Sequence, residues 1–153
     1  AQARGVAAAR LVFAPRLPPA EHLARQRLAD LFLDTLPCNA HTTASDALWA
    51  GLPLLTCAGR AFAGRVAGSL LQSVGLPELI ARSPEEYETL ALDLARDQRL
   101  LSGLRARLAA SRRSAPLFDT DRSCRNLESA FRTMWQMQQR GEPPRPFSVQ
   151  PAA

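Results

Sequence analysis

Residues 31–34 (Leu-Phe-Leu-Asp) and 52–57 (Leu-Pro-Leu-Leu-Thr-Cys) are apolar runs too short for helices. The segment between them, 43–50, has the pattern of a helix, closed by Gly51. Strands separated by a helix do not form a hairpin; they align in parallel through a right-handed crossover. A third run, residues 10–14 (Arg-Leu-Val-Phe-Ala), is a further strand candidate, and Pro15, Pro18 and Pro19 end it. This alternation predicts an α/β fold with a short parallel sheet and helices on both faces.

The remaining segments read mostly as helices. Residues 21–29 have an acid at the start, Leu23 and Leu28 as apolar positions, and Arg25 and Arg27 toward the end. Residues 59–64 form a loop or helix entry, and 65–74 carry Val66, Leu70, Leu71 and Val74 at helical spacing before Gly75. Residues 76–81 make a short connecting strand or turn. Ser83-Pro84-Glu85-Glu86 is the clearest helix start: Ser83 caps, Pro84 fits the first position and Glu86 completes a capping box. That helix runs to about Arg96. Residues 99–113 follow, with Leu100, Leu101, Leu104 and Leu108 as the apolar face, and Pro116 breaks the pattern. A last long helix, 121–139, carries Leu127, Phe131, Met134 and Trp135. Trp49 and Trp135 are expected in the core. The organisation is one lobe, 1–139, with a flexible Pro-rich tail, 140–153.

Composition narrows the function classes. A chain of 153 residues with 46% hydrophobic and 22% charged residues buries a real core. Its net charge is +5, and every basic side chain counted among Lys and Arg is Arg. The arginines are scattered and not interleaved with aromatics, so nucleic-acid binding is not expected. No lysine chemistry can come from this chain. No stretch approaches the roughly 20 apolar residues of a membrane span. Cys38, Cys57 and Cys124 are odd in number, widely spaced and without a Cys-x-x-Cys pair, which speaks against zinc and for reduced thiols. A cytoplasmic protein, truncated at its Ala1 end, is the expectation.

Chemistry concentrates in the stretch Cys38-Asn39-Ala40-His41-Thr42-Thr43-Ala44-Ser45-Asp46. It lies where a strand gives way to a helix, the edge at which open parallel sheets bind ligands. A helix start leaves backbone N–H groups unpartnered, and its dipole favours an anion. The loop 14–21 falls at the same edge and brings His22 and Arg25 toward His41, Thr42, Thr43 and Asp46. Two imidazoles, a guanidinium, two hydroxyls and a helix start suit a diphosphate on a ribose, with Asp46 accepting from ribose hydroxyls. Each residue also has a plainer reading. Asp46 completes a Thr-x-x-Asp box and could only cap, His41 fits a loop histidine, and His22 and Arg25 fit a solvated helix face. Asp34, at a strand end, reads as structural. The chain has no Gly-x-Gly-x-x-Gly, no Walker loop and no Gly-x-Ser-x-Gly elbow. No His/Asp cluster suggests a catalytic metal.

The run Leu28 to Thr35, then Cys38-Asn39-Ala40-His41-Thr42-Thr43, Asp46, Leu48-Trp49-Ala50-Gly51 and Pro53, resembles the O-linked N-acetylglucosamine transferase family, which includes SPINDLY-like proteins. Glu21-His22, Arg65-Val66-Ala67, Leu79-Ile80-Ala81, Glu86-Tyr87, Pro116-Leu117-Phe118 and Met134-Trp135 extend the likeness across nearly the whole chain. The resemblance implies the Rossmann-like C-terminal lobe of a GT-B glycosyltransferase. Such an enzyme binds UDP-N-acetylglucosamine and transfers the sugar, with inversion, to Ser or Thr hydroxyls of proteins. It needs no metal or other cofactor, and in many members tetratricopeptide repeats present the protein acceptor.

Position by position, the resemblance puts Thr42 and Thr43 on the diphosphate and His41 beside them at the nucleotide. Asp46 falls on the ribose, His22 and Arg25 on the uridine, and backbone near Leu17 on the base. Cys38 comes near the donor. Many relatives have Lys at the position of Pro19 and Gly at that of Ala40. The resemblance places the catalytic residue, further donor contacts and the repeats upstream of Ala1, so that this chain alone is expected to be inactive.

Overall fold

The computed structural model describes residues 1–150. Its principal elements are α1 (Pro19–Gln26), β1 (Phe32–Leu33), α2 (Thr42–Ala50), β2 (Leu54–Cys57), α3 (Val66–Ser73), β3 (Ile80–Ala81), α4 (Pro84–Arg96), α5 (Gln98–Ser111) and α6 (Thr120–Gln139). Short 3-10 turns fill several connections.

The strands form one parallel sheet in the order β1-β2-β3. Phe32 pairs with Leu54 and Leu33 with Leu55; Thr56 and Cys57 pair with Ile80 and Ala81. The order advances in one direction, so right-handed crossovers put α2 and α3 on one face, and these two helices touch. α4 packs on β2 and β3 and is backed by α5. All four residues of β2 are buried, so the central strand is covered on both faces. Leu48, Leu54, Leu55, Leu71, Leu76, Leu79 and Leu108 are fully buried around it, each contributing about 1.5–3 kcal/mol by leaving water. The expected α/β fold with a short parallel sheet is the one observed.

Local signals explain several boundaries. Ser83 Oγ accepts the Glu86 N–H at 3.2 Å and caps α4, while Glu86 Oε2 accepts the Arg82 N–H at 2.7 Å, one residue further back than the cap N–H of the expected capping box. Gly51, at φ 86°, ends α2 in the left-handed region and turns the chain toward β2. α1 begins at Pro19 rather than residue 21, because a proline with its preset φ fits the first helical position.

Other expectations are corrected. Residues 11–18 form no strand, and Val12 and Phe13 are 86% and 90% exposed. A strand needs a ladder, and this run hydrogen-bonds to no neighbouring strand among the described residues. The third strand is instead β3, from the part of the chain read as strand or turn. α1 stops at Gln26 rather than at residue 29, and Leu28 beyond it is exposed. Leu100 faces outward while Leu101, Leu104 and Leu108 are buried. Trp49 and Trp135 are not core: they are 49% and 64% exposed. Leu127, Phe131 and Met134 lie exposed with Trp135 on α6, where only Met137 is buried. The core is already filled by α2 to α5, and helical spacing does not say what an apolar face meets.

Beyond Gly141 the described residues form no helix or strand. Glu142 pairs with Arg140 and Arg145, which holds its carboxyl below the ordinary range. Residues 151–153, the end of the expected tail, lie outside the described residues.

Candidate functional site

The loop from β1 to α2 is organised by one carboxylate. Asp34, 5% exposed, accepts the Thr35 and Ala40 N–H groups on Oδ1 at 2.8 and 2.7 Å. Its Oδ2 accepts the Thr56 hydroxyl of β2 at 2.6 Å. Tyr87 of α4 donates its hydroxyl to the Asp34 carbonyl at 2.9 Å. Burial, then the nearby Asp34 charge, raises the Tyr87 phenol above its ordinary value. The structural reading of Asp34 therefore holds.

The same loop is docked on the segment after β2. The Asn39 N–H donates to the Ala63 carbonyl at 2.8 Å, and the Gly59 N–H to the Gly64 carbonyl at 2.6 Å. The two glycines approach so closely that a Cβ on Gly64 would lie 3.0 Å from Gly59 Cα and 3.1 Å from the Pro37 oxygen. The Asn39 side chain is buried; its Nδ2 donates to the Thr35 carbonyl, while Oδ1 has no partner among the described residues. Cys38 is exposed in this loop, and its carbonyl accepts the Thr35 hydroxyl.

This framework delivers the chain to α2 with His41 at the N-cap position and Thr42 and Thr43 in the first turn, all three exposed. Among the described residues, no side chain makes a cap hydrogen bond at this helix start. Asp46 is therefore not a cap, which removes the plainer reading of the Thr-x-x-Asp box. The first-turn N–H groups are left for another acceptor. The His41 ring meets Phe62 edge-on at 6.1 Å between centroids.

A second set of residues gathers beside this helix start. A cavity of about 520 Å³ is lined by His22, Leu23 and Arg25 of α1, by Asp46, and by the preceding loop including Arg16 and Leu17. Arg25 Nη1 donates to the Pro15 carbonyl at 2.7 Å, tying loop to helix, and Nη2 lies 2.9 Å from His22 Nδ1. A guanidinium only donates, so His22 Nδ1 is the acceptor in this pair. The Gln26 side-chain nitrogen lies 3.2 Å from His22 Nε2. Asp46 stands three and four residues after Thr43 and Thr42, on one helix face, so the cavity and the uncapped helix start adjoin.

Of the eight candidate residues, four line the cavity: Leu17, His22, Arg25 and Asp46. His41, Thr42 and Thr43 stand at the helix start, and Cys38 in the loop before it. The loop 14–21 reaches the cavity although no strand precedes it. Arg16, Thr56, Tyr87 and Phe62 were not foreseen. Arg16 sits in a loop already marked for ligand binding, so its position was a usable signal. The other three meet the site only through tertiary packing.

Residues 1–127 match the glycosyl transferase family 41. The chain belongs to that family. It is 43% identical over 150 residues to a protein of Arabidopsis thaliana named "Probable UDP-N-acetylglucosamine--peptide N-acetylglucosaminyltransferase SEC". It is 39% identical over 140 residues to the UDP-N-acetylglucosamine–peptide N-acetylglucosaminyltransferase of Caenorhabditis elegans. These alignments cover 97% and 92% of this chain but 15% and 12% of the relatives. The fold matches a mutant O-GlcNAc transferase of Thermobaculum terrenum with a TM-score of 0.81 and 41% identity, over 88% of this chain and 26% of that one. The GT-B lobe expected from the resemblance to the O-linked N-acetylglucosamine transferase family is thus the fold found.

Proposed function

We propose that this chain is the donor-binding C-terminal lobe of a protein O-GlcNAc transferase-type enzyme. It holds UDP-N-acetylglucosamine for transfer to Ser or Thr hydroxyls of a protein acceptor. The observation that carries the reading is the junction of the cavity around His22, Arg25 and Asp46 with the uncapped start of α2. The diphosphate meets the first-turn N–H groups and the hydroxyls of Thr42 and Thr43, with His41 alongside. Asp46 accepts from the ribose hydroxyls. His22 and Arg25 face the uracil, with the backbone near Leu17 at its edge, and Cys38 borders the donor.

The chemistry follows from this placement. Breaking the bond from the sugar C1 to the diphosphate leaves negative charge on the leaving oxygen. N–H groups and hydroxyls fixed at the helix start stabilise that charge without reorganising, and holding the donor in one pose supplies orientation. Inversion, independence of metal and the use of repeats to present the acceptor come with the family reading. The base that activates the acceptor hydroxyl is not among the residues placed here.

The test is transfer. The full-length protein, given radiolabelled UDP-N-acetylglucosamine and a Ser/Thr-rich peptide, is expected to label the peptide, and Thr43→Ala to lower kcat/KM about 10²-fold. UDP binding without transfer to any acceptor would move the reading to a nucleotide-sugar-binding scaffold. Transfer from another nucleotide sugar would move it to a different GT-B transferase.

A further inference from the structure

α1 has a second side. Its back, together with the C-terminal half of α2 and the residue after α5, walls another cavity of about 250 Å³. Leu23, Ala24 and Ala50 supply apolar surface there, and Arg27, Trp49 and Arg112 complete it. Of the chain's 19 arginines, five pair with carboxylates among the described residues, so an unpaired arginine alone marks nothing; the placement of two in one cavity does. Arg27 and Arg112 pair with none among the described residues, and no acidic residue lines the cavity.

The two arginines follow the last residues of α1 and α5, where a cation complements the helix dipole. That explains a positive charge at each position. It does not explain why both arginines line one cavity. Arg112 is also fixed in place: Nη1 donates to the Trp49 carbonyl at 2.9 Å, and its guanidinium lies 5.5 Å from the Trp49 ring centroid. Phe118 holds the indole edge-on at 5.1 Å. A fixed guanidinium, a second arginine lining the same cavity and an apolar floor match a carboxylate on an apolar stem. A fully hydrated inorganic anion would leave the apolar surface unused.

We propose that this cavity docks an acidic peptide segment, with a Glu or Asp carboxylate between Arg27 and Arg112 and an adjoining apolar side chain against Leu23, Ala24 and Ala50. Leu23 lines both this cavity and the one holding His22 and Arg25, so α1 is the wall between them. No residue of α1 is buried, which leaves its position responsive to what presses on its back. A docked carboxylate bridges α1 to the end of α5 and steadies the helix that carries His22 and Arg25. The resulting coupling to UDP rests on the donor reading above and is reciprocal; the docking itself does not depend on it.

The experiment uses the full-length protein and a fluorescent, end-blocked peptide of alternating Glu and Leu, followed by anisotropy. The Glu peptide is expected to bind, its Gln counterpart not to bind, and Arg27→Gln to weaken binding about tenfold. The Arg27 guanidinium makes no hydrogen bond among the described residues, so its loss leaves the fold intact; Arg112→Gln, which also releases the Trp49 carbonyl, is the second variant. Equal binding of the Gln peptide, unchanged binding by Arg27→Gln, or displacement of the peptide by equimolar inorganic phosphate would overturn the proposal. UDP is titrated separately: UDP binding without peptide binding removes this site alone, and peptide binding without UDP binding removes only the coupling.

Discussion

Thr56 donates its hydroxyl to Asp34 Oδ2 at 2.6 Å, joining β2 to the end of β1 in a place closed to solvent. The other oxygen of the same carboxylate receives the N–H groups of Thr35 and Ala40. One side chain thus ties the central strand to the loop that aims the start of α2. Asp34→Ala is expected to destabilise the protein by about 3 kcal/mol, because buried donors lose a charged acceptor. Asp34→Asn should cost about 1 kcal/mol, since its oxygen still accepts both N–H groups and its amide can donate to Thr56. Urea denaturation of the two variants checks the ordering.

Tyr87 reaches the same junction from α4 and gives it a pH dependence. Its phenol is raised above the ordinary value near 10 by burial and by Asp34. Cys57 is likewise raised, by burial first and then by Glu86 and Glu85. A raised value means that the folded state holds its proton when the unfolded state has released it. The contribution to stability is therefore full below the unfolded value and is lost as pH rises through the folded one. Denaturation midpoints should fall above about pH 9–10, the range of free thiols and phenols. Tyr87→Phe should make that fall shallower, at the cost of about 1 kcal/mol for the lost hydrogen bond at neutral pH. Tyr87 is the chain's one tyrosine, and its phenolate absorbance reports its titration.

Gly64 makes a different prediction. A Cβ added there would lie 3.0 Å from Gly59 Cα and 3.1 Å from the Pro37 oxygen, and both neighbours are backbone, so Gly64→Ala must move the loop before α2. The expected cost is about 1–3 kcal/mol, with a weaker affinity for UDP. A stability change with unaltered UDP affinity would show that this loop does not set the donor site.

The exposed side chains of α6 separate packing from pattern. Phe131→Ser should change the stability of this chain by no more than about 0.5 kcal/mol, whereas Leu108→Ala, in the filled core, should cost about 2–5 kcal/mol. Thermal melts of the two variants compare them directly.

What could be read from the residues depended on how local the signal was. The start of α4 was legible because Ser83, Pro84 and Glu86 act within one turn. The strand within 52–57 was legible because a short, mostly apolar run near breakers has few folded uses; it starts at Leu54, after Pro53. The run 10–14 misled because strand formation depends on a neighbour that composition does not reveal. Trp49 and Trp135 misled because an aromatic at helical spacing fits a core and an outward face equally. At the site, His22, Arg25 and Asp46 line one cavity as expected, although the strand over 10–14 from which that was argued does not form. The links from Asp34 to Thr56 and Tyr87 span three elements and became visible only with the register of the sheet.

The central claim is that the start of α2 and the cavity beside it hold a uridine diphosphate. Calorimetric titration of UDP and UDP-N-acetylglucosamine into the full-length protein, with Thr43→Ala/Asp46→Ala as the control, tests it most directly. The account predicts uridine-dependent binding by the wild type that weakens at least about 10²-fold in the double variant, two contacts each worth a tenfold factor or more. A folded protein that binds no UDP, or binds it equally well without Thr43 and Asp46, would contradict it.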